Sequence, residues 1–510
     1  MSTSQINNKR IAKNTLVLYF RMLFLMLISL YTSRVILHAL GVTDYGIYNV
    51  VGGFVSMFAL ISAALTSACS RFLNYEMGKG HLERQKVVFS TALSIQWGLA
   101  VTVAVLAEAI GVWYVNNMMV LPPDRLVAAN WCFQFSVFNF CMNLITVPYN
   151  ASIVAHERMK AFAYVSIYQG LAVLTISFLV SRSPIDRLVF YAFMLLVVQF
   201  TVRYAYQVYC KRNFEECTYI KVFDKPLFRH MLSYSIWHLV GNGATVLKGH
   251  GVNIVLNLFF GPTVNAARAV ANQVDGAVNQ FASNFMMAIN PQITQSYSRG
   301  ELKNMFQLVN RGSRFSFYLL FILALPVIIN TDYILHLWLK EIPNHTVTFI
   351  QLTLISMMIT SVSGPLITAQ NATGNVRNYQ LVVGGILLLN LPLSYIFLRL
   401  GMIPEIVVVV AIAVEILAFL ARMYMIPLTI KEFQPRLFLR DVILKCCAVV
   451  LLTVPIPLLE HVYYPENFYT FVLNVCLCLL CSMVVIYYVG CNANERAMLM
   501  AAVNKIKKKF

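Results

Sequence analysis

The sequence predicts an all-α polytopic membrane protein of about 14 transmembrane helices. Two six-helix bundles, related by a pseudo-two-fold axis normal to the membrane, are followed by a C-terminal helix pair. Three observations predict this. First, 59% of the 510 residues are apolar and only 12% are charged, where soluble proteins run at about 45–50% and roughly 25%. A water-facing surface needs more charge than that; a lipid-facing one needs almost none. Second, the basic residues alternate between loops in the way that orients membrane proteins. Third, the chain matches itself at a shift of about 220 residues.

The first apolar run, Leu16 to Leu40, follows Lys9, Arg10 and Lys13. It is too long for a signal-peptide core and no small-residue cleavage site follows, so it reads as a retained first span. A span needs about 20 mostly apolar residues. On that rule the helices lie at 15–38, 45–69, 88–113, 126–150, 161–181, 188–209, 230–258, 265–290, 305–329, 346–369, 378–399, 404–427, 442–459 and 468–490. With the N-terminus inside, cytoplasmic segments carry 28 basic residues and the opposite side five: Arg125, Arg182, Arg187, Lys340 and Arg399. An even number of spans with both termini cytoplasmic is therefore expected. Most of the +18 net charge is this topology signal, and nucleic acid is not an expected partner.

The repeat aligns Gly41-Val-Thr43 with Gly261-Pro-Thr263, and Lys79-Gly80 with Arg299-Gly300. Pro148, Lys160 and Phe162 fall on Pro365, Arg377 and Tyr379, and Phe200 and Arg203 fall on Phe419 and Arg422. Because six is even, such halves share one orientation. The predicted units are residues 1–215, 216–435, and an extra helix pair with a basic cytoplasmic tail over 436–510.

The loops are short, and no DxD, Walker, GxSxG or HExxH pattern occurs in the sequence. These are the signatures that nucleotide, acyl and metal chemistry would require. The expectation is a transporter with no catalytic residues, no metal site and no cofactor, leaving H⁺ or Na⁺ as a coupling ion. Most of the 11 cysteines sit in apolar runs, where they act as small hydrophobes.

Charges inside spans are costly, about 2.5–3.5 kcal/mol near the centre, and mark functional positions by default. With Arg311, Arg314 and Lys445 counted to the cytoplasmic segments and Arg399 and Glu405 to the outer ones, nine occur: Arg21, Arg34, Glu108, Arg203, Lys248, Arg268, Asp275, Glu415 and Arg422. Arg203 and Arg422 lie near cytoplasmic ends, where long side chains snorkel; Glu108 reads as interfacial. Arg21, Arg34, Lys248 and Arg268 are the candidate anion-binding cations, and Asp275 the candidate gating or ion-coupling group. Arg268 and Asp275 are seven residues apart, hence on one helical face about 10 Å apart. Span 8 also carries Asn272, Gln273, Asn279, Gln280 and Asn284, too polar a face to meet lipid. Four cations against one acid would attract an anion such as a phosphate.

Ala12-Lys-Asn-Thr-Leu, the turn Gly41-Val-Thr-Asp44-Tyr-Gly46-Ile-Tyr-Asn, the Arg71-Phe loop and the fourteen-span layout together resemble a known family. The resemblance is to the polysaccharide flippases of the multidrug/oligosaccharidyl-lipid/polysaccharide exporter superfamily, narrowly the Wzx-type O-antigen and lipopolysaccharide repeat-unit transporters. It covers the full length. It implies a V of two bundles, helices 1, 2, 7 and 8 around a cationic cavity, and alternating access. The implied cargo is an undecaprenyl-pyrophosphate-linked glycan, moved from the inner to the outer leaflet of the bacterial inner membrane, with other polysaccharide-assembly proteins as partners. Lipid II flippases of this superfamily use arginines on helices 1 and 8, positions that Arg21 and Arg268 match; helix 2 here lacks a comparable cation. The competing readings are an ion-coupled multidrug exporter of the same superfamily, whose usual cationic cargo this charge balance would repel, and an integral-membrane transferase.

Overall fold

A computed structural model describes residues 3–56, 58–117, 122–222, 224–246, 251–338, 342–464, 467–493, 495–497 and 500. Lys248 lies outside the described residues, and so does the side chain of Arg34. Every described element is helical. Among the described residues, ten helical stretches are long and apolar enough to cross a membrane. Expected spans 1, 2, 7 and 8 are not among the ten.

The chain divides into two compact units. One comprises Met1–Asn242 with Thr294–Gly300, the other Gly243–Ile293 with Glu301–Phe510. In the first unit α1 spans Thr3–Ser56 but breaks at Gly41, whose φ of 77° and ψ of 169° suit a residue without a Cβ. The turn expected there is thus a single left-handed residue rather than a loop. The next expected span is also interrupted, since α2 starts afresh at Ala59 and runs to Lys79. It ends on Gly80 at φ 74°, whose N–H reaches Glu76 O and Met77 O, a left-handed cap that satisfies terminal carbonyls.

The helix α3 (Leu82–Leu106) continues through a π-helical turn at Ala107–Gly111 into α4 (Val112–Asn117). Then come α5 (Leu126–Ala155), α6 (Met159–Val180) and α7 (Arg187–Asn213). Within this unit α5 packs on α3 and α7, and α1 lies along α6. That last seam is tight: a Cβ on Gly170 would lie 2.6 Å from Leu25 Cδ2. The last helix of the unit, α8 (Lys225–Val246), is capped by Asp224, whose Oδ1 accepts from Leu227 N at 2.8 Å.

In the second unit α9 is helical from Val252 to Ile293, and its final residues to Ser298 belong to the first unit. The expected turn between spans 7 and 8, at Gly261–Thr263, lies within the stretch assigned to α9. The unit continues through α10 (Leu302–Ile329), α11 (Thr331–Trp338), α12 (Thr346–Ser361), α13 (Gly364–Thr373), α14 (Arg377–Leu388), α15 (Asn390–Arg399) and α16 (Ile406–Thr429). The terminal region holds α17 (Pro435–Phe438), α18 (Leu444–Thr453), α19 (Pro455–Tyr463) and α20 (Phe468–Val485). One core cluster forms where α14 meets α16, with Tyr379, Val383, Leu387, Val410, Val414 and Ala418 all buried.

Candidate functional site

Polar side chains inside an apolar bundle separate into two kinds: those the protein satisfies and those it leaves open. The open set centres on α9. Arg268 is half-buried, and its Nε and Nη1 are sealed from solvent with no hydrogen-bond partner among the described residues. A guanidinium has five N–H donors in a planar fork, so this fork is presented without a protein acceptor for two of its nitrogens. Two turns along the same helix lies half-buried Asp275. Between and beyond them, Asn272, Gln273, Asn279, Gln280 and Ser283 are exposed. Two residues on the far side of the stripe are tied down, Asn284 donating to Gln280 O at 2.8 Å and Asn290 accepting from Thr368 of α13 at 2.9 Å.

Arg21 belongs to the first unit and is held by α6. Its Nη1 donates to Ser166 Oγ at 3.3 Å, and the guanidinium lies 4.5 Å from the centroid of the Phe162 ring, a cation–π distance. Of the five sequence candidates, then, Arg268 and Asp275 share one helix, Arg21 sits in the α1–α6 seam, and Arg34 and Lys248 have no described side chain.

The better-satisfied set includes the repeat-related pair expected to snorkel, although Arg203 Nε is sealed without a hydrogen-bond partner among the described residues. Arg203 lies 5.6 Å from the Trp97 ring centroid, with Nη1 3.9 Å from Met142 Sδ. Arg422 is buried outright, a correction to the snorkelling expectation. Its Nε donates to the Tyr379 hydroxyl at 3.2 Å and its Nη1 to Ser363 Oγ at 3.3 Å, with Glu415 Oε2 3.7 Å away. Glu108, as an interfacial group should, accepts from Gln134 at 3.0 Å on an exposed face.

Three clusters escape a reading by residue type alone. Arg125 holds two carboxylates at once: Nε donates to Asp44 Oδ1 at 2.8 Å and Nη1 to Asp186 Oδ2 at 2.6 Å. Asp186 also caps α7, accepting from Leu188 N and Val189 N at 3.0 and 3.1 Å. Burial pushes the Asp186 carboxyl up, but Arg125 and these two N–H groups together outweigh it and hold it below the ordinary carboxylate value. Next, the Arg71 guanidinium lies 4.4, 4.8 and 5.8 Å from the ring centroids of Phe72, Tyr75 and Tyr234. Last, Arg314, counted as a cytoplasmic loop charge, is 3% exposed. Its Nη2 meets Glu495 Oε1 at 2.7 Å and its Nη1 donates to Gly490 O at 3.2 Å. No local pattern signals the partners of Arg125 and Arg314, which lie 61 to 181 residues away, whereas Phe72 and Tyr75 beside Arg71 were within its reach.

The polysaccharide biosynthesis protein family matches residues 11–297, more than half of the chain. The chain belongs to that family. A second family, MatE, matches residues 249–396. Among known proteins, this polysaccharide biosynthesis protein is similar to an uncharacterized membrane protein of Methanocaldococcus jannaschii, 23% identical over 275 residues. That alignment covers 51% of this chain and 53% of the relative, so the match spans about half the length of each. Among solved structures it resembles a MATE-family multidrug resistance transporter of the MOP superfamily in an outward-facing conformation, with a TM-score of 0.72 at 12% identity over 84% of this chain and 97% of that one. The MATE transporter ClbM in complex with Rb⁺ gives 0.69 at 12% over 84% and 96%. A MATE structure in the bent conformation gives 0.73 at 12% over 83% and 96%. At such identities the likeness is one of fold. This member of the polysaccharide biosynthesis protein family is a multi-pass membrane protein by its ten long apolar helical stretches among the described residues, and it shares its fold with the MATE structures.

Proposed function

We propose that this chain is a flippase for an undecaprenyl-pyrophosphate-linked oligosaccharide, the repeat unit of a lipopolysaccharide, O-antigen or capsule. The cargo moves from the inner to the outer leaflet of a bacterial inner membrane by alternating access. In this reading the six-helix halves 1–215 and 216–435 are the two moving bundles, residues 436–510 add a helix pair, and both termini are cytoplasmic.

The observation that carries the reading is Arg268. A buried guanidinium with two unpartnered nitrogens is unfavourable in the empty protein and matches a phosphate oxygen pair in geometry and charge. It stands on a helix whose exposed polar positions between Asn272 and Ser283 are amides and a hydroxyl, the groups that exchange hydrogen bonds with sugar hydroxyls and water. Arg21, Arg34 and Lys248 are proposed as further cations for the pyrophosphate, and Asp275 as the gating group or the carrier of a coupling H⁺ or Na⁺. The work is translocation, so no bond in the cargo is made or broken.

The multidrug reading has one observation in its favour, the fold shared with a multidrug resistance transporter. Deleting the gene in its host separates the two. Surface glycan should be lost, return with the wild-type gene, and stay at least about tenfold lower with Arg268→Gln. Intact surface glycan with raised drug sensitivity would overturn the flippase and favour drug export.

A further inference from the structure

The C-terminal helices are among the most apolar in the chain, yet a polar cluster is built into one end of them. Asn474 of α20 is 1% exposed, and Asn330, immediately after α10, is 3% exposed. The amides are joined, Asn330 Nδ2 donating to Asn474 Oδ1 at 2.9 Å. Asn474 Nδ2 in turn donates to Pro457 O of α19 at 2.8 Å and to Glu460 Oε2 at 2.5 Å. The other carboxylate oxygen, Glu460 Oε1, is sealed from solvent and has no hydrogen-bond partner among the described residues. No lysine or arginine among those residues pairs with Glu460 either.

Glu460, Asn330 and Asn474 line a cavity of about 10 Å³ together with Tyr333, His461 and Thr470. A cavity of that size takes one water-sized occupant. Leaving a carboxylate oxygen buried and unpaired is costly, and the cost is larger in an apolar helix pair than at a wet surface. A water would fill the space but leave the negative charge uncompensated. An anion is repelled. A divalent ion would exchange one uncompensated charge for another, and such ions normally gather several carboxylates. One carboxylate, neutral amide and hydroxyl oxygens and one water-sized space together match a small monovalent metal ion.

We propose that Glu460, with Asn474 orienting its carboxylate and Asn330 beside it, forms a binding site for one Na⁺-sized monovalent cation. The ion ties the end of α10 and the start of α11 to α19 and α20. Asn474 is a positioning residue: it holds one carboxylate oxygen so that the other faces the ion. This site is separate from Asp275 and does not depend on what the protein transports.

The test is thermal unfolding of the purified full-length protein in detergent, with NaCl replacing choline chloride at constant ionic strength. Ligand that binds only the folded state raises the midpoint saturably, so Na⁺ should shift it upward by several degrees where choline does not. Asp275→Asn, which removes the other Na⁺ candidate, should keep a shift, and adding Glu460→Gln to it should abolish what remains. If Glu460→Gln fails to fold, Asn330→Ala serves in its place and should weaken the Na⁺ response at least about tenfold in half-saturating concentration. The proposal is overturned if the wild type melts alike in Na⁺ and choline, if the double variant retains the shift of Asp275→Asn, or if Asp275→Asn alone removes it.

Discussion

Arg268 and Arg422 show how little the residue type says about its work. Both are arginines within spans, and the repeat signal reaches only Arg422. The structure gives Arg422 a hydroxyl on each side and a carboxylate nearby, so it staples α16 to α12–α14. Arg268 has two buried nitrogens without partners. Opposite consequences are expected. Arg422→Gln leaves Glu415 and two buried hydroxyls short of a partner and should destabilise the protein by about 3–5 kcal/mol, as breaking buried ion pairs does. Arg268→Gln removes an unsatisfied cation and should leave the melting temperature unchanged or raised while glycan export falls, a trade between stability and function. Melting curves of the two variants beside a surface-glycan assay check both directions. A fall in stability for Arg268→Gln would make it a structural residue.

At the scale of elements, local signals were readable and distant ones were not. Gly80 and Gly41 announce helix ends because only glycine tolerates their backbone angles. Helices with uniform apolar faces, α5 to α7 and α10 onward, were placed within a few residues of their observed bounds, because a lipid-facing helix shows its period and its length directly. Spans 1, 2, 7 and 8 mix polar and apolar residues, so their bounds stand out less in the sequence. The ion pairs were invisible, since Asp44, Arg125 and Asp186 meet only in the fold. That cluster sets the behaviour of α7. The Asp186 carboxyl sits below its ordinary value of 3.8, so its contribution is present above that value and is lost as pH falls through the folded-state value. Protection of the Leu188 and Val189 amides, taken relative to their intrinsic exchange at each pH, should fall on acidification below about pH 4. Asp186→Ala should remove that pH dependence and cost about 0.5–2 kcal/mol, the loss of an N-cap. Unchanged exchange in the variant would show the cap to be idle.

For the whole molecule, fold class followed from composition because lipid contact leaves no room for charge, and an orientation is proposed from where the basic residues collect. Burial is what composition missed: Arg314 counted toward the cytoplasmic charge yet is enclosed with Glu495. The orientation itself is open to a direct measurement. In a cysteine-free background a membrane-impermeant thiol reagent should label Ser183→Cys in intact cells and Lys303→Cys only after permeabilisation; the reverse pattern would invert the topology. The stripe on α9 has a wider consequence. Asn272 to Ser283 span about 17 Å of helix at 1.5 Å per residue, roughly half the hydrocarbon thickness. Amides trade hydrogen bonds with hydroxyls and with water at nearly equal free energy. In the proposed flippase such a track would wet the route without gripping whatever passes along it, so grip would be concentrated at Arg268 and the remainder of a long polar solute would slide on a surface of nearly constant energy.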